Sequence, residues 1–142
     1  MITKLYLAHP ILDREWIRKE EARIEQELGI ELINPFYDNA ERNDMKRVDA
    51  GQLTVYDDKL VYKAIVEGDL KAIDSAQGIV AILTENLTVG TLMEIFYNAY
   101  TLKRPTYLVI MNAKIYNHPW IKYCATRRFT SLGEFESWMK TQ

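Results

Sequence analysis

The sequence predicts a doubly wound α/β domain, with a mostly parallel five-stranded sheet and helices on both faces. Two observations predict it. Residues 78–83 and 106–111 are short, largely apolar runs, as expected of strands buried on both sides. They alternate with stretches of helical hydrophobic spacing, in the order β-α-β-loop-α-β-α-β-(β)-α. Such alternation calls for crossover connections and a parallel sheet of flavodoxin-like or Rossmann-like kind. The chain has 142 residues, 48% of them hydrophobic, which suits one domain with one sizeable core. Residues 1–142 therefore read as a single unit.

Each element has its own signal. Lys4–Ala8 is the first strand, closed by His9-Pro10. Asp13 reads as a helix N-cap, with Leu12 and Ile17 placed as a hydrophobic staple across it. Ile17, Ile24 and Leu28 recur at helical spacing, and Gly29 supplies the stop. Residues 30–33 form a second strand, ended by Asn34-Pro35. Over residues 36–58 the periodicity fails and charges alternate without a face. A connection this long reads as a loop or lid with room for a helical turn. Lys59–Asp74 regains helical spacing through Tyr62, Val66, Leu70 and Ile73. The strand at 78–83 leads to a helix at 91–102 and then to the strand at 106–111. A loop containing Asn117-His118-Pro119 and a short strand within 123–129 follow. Ser131 and Glu134 form a capping-box pattern that opens a last helix through Met139.

Composition excludes several function classes. Net charge is −2 and no run of like charge exceeds a few residues, so no nucleic-acid partner is expected. No apolar run approaches the roughly 18–20 residues of a membrane span. Cys124 is the only cysteine, which rules out an internal disulfide and fits a reducing compartment. The opening residues lack the separate basic and apolar regions of a secretory signal, so a cytoplasmic chain is expected. Two histidines and one cysteine offer no metal-ligand spacing. There is no Gly-x-Gly-x-x-Gly run and no P-loop lysine, so no cofactor is expected. Nine tyrosines and three tryptophans suit a subunit interface, a site that stacks flat rings, or simply a core.

Ligands of such sheets bind at the C-terminal ends of the strands. Residues 8–12, 34–40 and 84–94 converge there. Glu94 is the main candidate, because the spacing puts it in the first turn of an apolar helix. The partial positive charge of a helix N-terminus would hold it ionised, as a covalent nucleophile at a sugar carbon needs to be. Thr91-Leu92-Met93-Glu94 equally matches a capping box, so a structural role for Glu94 stands beside the catalytic one. Asp69 has Ile65 and Ile73 one turn to either side. An acid among apolar neighbours has a raised pKa and can donate a proton to a leaving base; a solvated flank is the alternative. Thr88 and Gly90 read as the turn before the helix, where a hydroxyl and backbone N–H groups could bind a hydroxyl or phosphate.

Together these segments resemble the nucleoside 2-deoxyribosyltransferase family. Lys4-Leu-Tyr-Leu-Ala-His-Pro10 is similar to its opening strand and turn, and Asp13-Arg14 begins the next helix. Val66-Glu-Gly-Asp69-Leu-Lys-Ala-Ile73 is similar to its Asn-Asp-Leu-x-x-Ile segment. Thr88-Val-Gly-Thr-Leu-Met-Glu94 is similar to its Gly-x-x-Met-Glu nucleophile turn, and Lys103-Arg104-Pro105 matches a turn further on. The resemblance covers roughly residues 4–111. It implies that Glu94 attacks C1′ of a 2′-deoxynucleoside, that Asp69 protonates the departing base, and that Tyr6 orients the glutamate. It also implies that His9, Pro10, Thr88 and Gly90 contact substrate. The implied partners are deoxynucleosides and free nucleobases, and the implied assembly is a homo-oligomer, a dimer or a hexamer. Two departures stand out. Many members carry an aspartate where this chain has Thr88. A related branch, the 2′-deoxynucleoside 5′-monophosphate N-glycosidases, carries a serine there. His9-Pro10 also replaces smaller residues at the opening turn. A silent nucleotide-binding domain of the same fold is a third possibility.

Overall fold

The computed structural model describes residues 1–38 and 59–142. Five strands form one sheet in the order β2-β1-β3-β4-β5: β1 Lys4–Ala8, β2 Glu31–Ile33, β3 Ile79–Leu83, β4 Thr106–Ile110 and β5 Arg127–Phe129. All four pairings are parallel. Tyr6 pairs with Ile33 on one side and Ile79 on the other. The chain leaves β1 toward β2 and returns to β3 on β1's opposite edge. The strand order thus reverses between β1 and β3, which opens a crevice at their C-terminal ends.

The helices are α1 Arg14–Leu28, α2 Pro35–Asp38, α3 Lys59–Asp74, α4 Val89–Phe96, α5 Pro119–Cys124 and α6 Leu132–Met139. Side chains of β1 alternate across the sheet. Leu5 and Leu7 join Ile17, Ile24 and Phe135 in the core layer under α1 and α6. Tyr6 and Ala8 join Ile73, Ile95, Ile121 and Cys124 under α3, α4 and α5. This alternation aims Tyr6 at the helices that carry Asp69 and Glu94.

Two backbone positions require glycine. Gly29 ends α1 at φ 64°, its N–H bonding Glu25 O at 2.9 Å. A Cβ on Gly78 would stand 2.5 Å from the carbonyl oxygen of Pro105, so β3 and the turn before β4 meet backbone to backbone.

The structure departs from the sequence reading in four places. Asp13 caps nothing with its side chain and Leu12 is 73% exposed, so there is no staple. Residues Ile11–Asp13 coil into a 3-10 turn, which swings the Asp13 carboxylate inward. The helix expected at 91–102 begins at Val89, because Thr88 takes the N-cap position, and its last five residues, Tyr97–Thr101, widen into a π-helix. The loop expected around Pro119 contains α5, with His118 as N-cap (its Nδ1 accepts from Trp120 N at 3.2 Å) and Pro119 opening the helix. The apolar stripe of α3 is divided: Ile73 is buried, while Val66 is 53% exposed. Within the 36–58 segment a helical turn does form at α2; the rest of that reading lies outside the described residues. The Ser131–Glu134 cap forms as expected, with Glu134 N donating to Ser131 Oγ at 3.1 Å.

Candidate active site

Glu94 lies deeper in its helix than the sequence suggested. With α4 starting at Val89, no acid occupies the first turn, and Thr91 is helical rather than a cap. The capping-box reading of Thr91–Glu94 therefore fails, and so does the argument that places Glu94 on the helix N-terminus. Five residues past Val89, the chain has descended about 7.5 Å from the helix start. Tyr6 lies two residues, or about 6.6 Å, below the end of β1. The two side chains meet, and the Tyr6 hydroxyl donates to Glu94 Oε2. Tyr6 is wholly buried and Glu94 is half-buried.

Asp69 is half-buried on α3, one turn before the buried Ile73 and so on the same stripe. In a β-α-β crossover that helix runs back against the strands, which puts Asp69 nearer than Ile73 to the crevice end. Two ties fix α3 beside α4. Tyr97 donates its hydroxyl to Asp74 Oδ1 at 2.6 Å. Arg104 Nη1 donates to the carbonyls of Ile73, Asp74 and Ala76 at 3.2, 2.9 and 2.6 Å, closing the end of α3.

His9 sits just past β1 and is 2% exposed. Its Nδ1 bonds Leu7 O at 3.2 Å, so that nitrogen carries the proton and Nε2 is an acceptor. Nε2 is buried and has no partner among the described residues. Phe36 meets the ring edge-on at 4.9 Å. Burial pulls the imidazole down to about 4, outweighing the Leu7 hydrogen bond and the nearby Asp13 charge. Pro10 is buried beside it and its carbonyl accepts from Asp13 N at 3.1 Å.

Thr88 Oγ1 lies 2.8 Å from Thr91 Oγ1 and accepts from Thr91 N at 3.4 Å. Gly90 is inside the first turn of α4 rather than in a turn before it, and a Cβ there would touch nothing within 4 Å.

Two buried polar clusters escaped the sequence reading. Asp13 receives Thr84 Oγ1 at 2.6 Å, Trp16 Nε1 at 3.0 Å and Asn86 Nδ2 at 3.2 Å. It thereby binds the loop after β1 to the loop that leads into α4. Burial alone would raise its pKa, but these three donors outweigh it and leave the carboxyl below its ordinary range. Glu21, buried in α1, takes Asn34 Nδ2 at 2.8 Å and Arg18 Nη1 at 2.9 Å, and burial keeps its pKa raised. No periodicity marks either cluster, because each ties a helix to a loop or turn outside it. Among the described residues no group of three or more His, Cys, Asp or Glu could hold a metal ion, and no helix is long and apolar enough to cross a membrane.

The sheet order and the crevice between β1 and β3 define a doubly wound α/β protein of flavodoxin-like topology. Solved structures share this fold. The chain superposes on the 2-deoxyribosyltransferase of the psychrotolerant bacterium Bacillus psychrosaccharolyticus with TM-score 0.70 and 20% identity, over 94% of this chain and 90% of that one. It superposes on a conserved protein of Enterococcus faecalis V583 with TM-score 0.67 and 21% identity, over 99% of both chains. At these identities the likeness is one of fold. No protein-family model matches the sequence, and no curated protein matches it significantly.

Proposed function

We propose that the protein is a retaining nucleoside 2-deoxyribosyltransferase. The observation that carries this reading is the Tyr6 hydroxyl donating to the Glu94 carboxylate at the crevice. A glutamate fixed by a donor from a fully buried ring is oriented for attack rather than solvated at random. The fold shared with a 2-deoxyribosyltransferase gives further support.

In this mechanism a Glu94 carboxylate oxygen forms a bond to C1′ of the deoxynucleoside while the N-glycosidic bond breaks. The electron pair leaves with the nucleobase, and Asp69 supplies the proton that neutralises it. The product is a deoxyribosyl ester of Glu94, reached through an oxocarbenium-like state. A second nucleobase attacks C1′ from the vacated face, expels the carboxylate and returns its surplus proton to Asp69. Two inversions give net retention. Thr88, Gly90, His9 and Pro10 surround the sugar and base in this reading.

The test is incubation with thymidine and free adenine, for which deoxyadenosine is the expected product. Glu94→Ala should abolish it while leaving the circular dichroism spectrum unchanged. Full transfer by that variant would remove the nucleophile assignment. A second reading rests on Thr88, a hydroxyl at the start of α4 that tolerates a 5′-phosphate where a carboxylate would repel it. In that case the enzyme is a hydrolase of deoxynucleoside 5′-monophosphates. Free deoxyribose 5-phosphate, with water as the final acceptor, would then dominate the products.

A further inference from the structure

Residues 84–88 carry the chain from β3 to Thr88 at the start of α4, so they set where Thr88 stands. Among the described residues the backbone N–H groups of 85–88 reach no backbone carbonyl, so no ladder or turn of its own holds this loop. Side chains hold it instead. Thr84 Oγ1 donates to Asp13 Oδ2 at 2.6 Å and accepts from Asn86 N at 3.1 Å. Asn86 Nδ2 donates to Asp13 Oδ1 at 3.2 Å. Trp16 Nε1 donates to the same oxygen at 3.0 Å, which anchors the carboxylate to α1. On the other side Asn112, just past β4, donates from Nδ2 to the Thr84 carbonyl at 3.3 Å. Asp13, Thr84 and Asn112 are all buried. Together they tie the C-terminal ends of β1, β3 and β4 in one row.

We infer that Asp13 is a positioning residue for the substrate: it holds the 84–88 loop, and through that loop sets Thr88 at the 5′ end of the donor. Asp13 touches no reacting atom and acts through Thr84 and Asn86. A carboxylate suits the task, because it accepts all three donors at once and charge strengthens each bond. Glu94 is placed separately, by the Tyr6 hydroxyl. Asp13 therefore governs the grip on the 5′ group and leaves the attack at C1′ to the Tyr6–Glu94 pair. The inference rests on the substrate pose proposed above.

Two measurements on the full chain test this. Asp13→Ala removes all three acceptor contacts, and Asn86→Ala removes one from an exposed side chain, so it keeps the test open where Asp13→Ala does not fold. Amide hydrogen exchange reads the loop without any turnover. In Asp13→Ala the amides of residues 85–92 should speed about ten-fold more than those of β4, with a shift in the same direction in Asn86→Ala. Base exchange with free adenine reads the substrate. Relative to wild type, kcat/KM in Asp13→Ala should fall about ten-fold with thymidine. With 5′-deoxythymidine, which has no 5′ group for Thr88 to hold, it should fall less than about two-fold. A general loss of structure would lower both donors alike. Equal falls for the two donors would overturn the inference, and so would exchange that speeds equally in loop and strand. A wild type that transfers from no nucleoside or nucleotide removes the proposed reaction instead. The exchange comparison then decides alone: loosening confined to the loop sustains the hold of Asp13 on it, and uniform loosening ends it.

Discussion

Tyr6 and Glu94, 88 residues apart in sequence, are joined by a hydrogen bond from the phenol to the carboxylate. The ring belongs to the core beneath α3 and α4, so its hydroxyl has no freedom to follow a moving glutamate. Tyr6→Phe keeps the ring and removes only the donor. The expected result is a fall of about 100-fold in kcat for base exchange with little change in KM, the signature of a displaced reacting group. Steady-state kinetics with thymidine and adenine check it. Unchanged kcat would leave the bond as packing alone.

That bond also marks where sequence reasoning stops. Strand existence was legible because 78–83 and 106–111 are largely apolar, and α3 was bounded correctly because Tyr62 to Ile73 keep a helical period. Glu94 was legible as an acid in an apolar helix, but its depth was not. Thr91 and Thr88 both look like caps, and Thr88 takes the position only because the chain after β3 is extended there. The Asp13 carboxylate was assigned to its own helix because local spacing shows only local partners. Thr84 and Asn86 lie over 70 residues away, and no pattern in one sequence connects them. The missed helix α5 had a signal, a proline at its first position, overshadowed by the neighbouring Asn117 and His118.

His9 makes stability depend on pH. Burial lowers its pKa from 6.5 to about 4, so between those values the unfolded chain binds more protons than the folded one. The stabilisation is complete above about pH 6.5 and is lost as pH falls toward 4. From pH 7 to pH 5 the loss is about 2 kcal/mol. Glu21 acts in the opposite direction, since its raised pKa favours the fold at low pH, so the comparison must be made between variants. Urea unfolding of His9→Gln at the two pH values should show a smaller loss than the wild type. Equal losses would show that the imidazole titrates normally.

Asp13 accepts from three donors; in an asparagine the amide oxygen can keep the two N–H donors on Oδ1, but the Thr84 hydroxyl must then turn to accept from the NH2 and its own hydrogen loses its acceptor. Asp13→Asn should cost about 1–3 kcal/mol in urea unfolding at pH 7. Its depressed pKa also means that the wild type loses this contribution as pH drops below the ordinary carboxylate range, whereas the variant has none to lose. Wild-type stability in Asp13→Asn would show that the network is dispensable.

Gly78 and Gly90 should respond oppositely to the same change. A methyl on Gly78 meets the Pro105 carbonyl at 2.5 Å, so Gly78→Ala must push β3 from the turn before β4, at a cost of about 1–3 kcal/mol. Gly90 is helical with open space around it, so Gly90→Ala should raise stability by about 0.5–1 kcal/mol. Thermal melts of the two variants decide it. A destabilised Gly90→Ala would point to a close neighbour at the start of α4.

The proposed contact between Thr88 and the 5′ group of the donor is open to a charge test. Aspartate caps helices as well as threonine does, so Thr88→Asp should keep α4 and change stability by no more than about 0.5 kcal/mol. In the proposed substrate pose its added carboxylate faces the 5′ end of the donor. A 5′-hydroxyl can donate a hydrogen bond to that carboxylate, whereas a 5′-phosphate is repelled by it. The ratio of kcat/KM for thymidine over thymidine 5′-monophosphate should therefore rise about ten-fold or more in the variant. The ratio in the wild type, measured in the same assay, separates the transferase from the nucleotide hydrolase. An unchanged ratio in Thr88→Asp would place the 5′ group away from the start of α4.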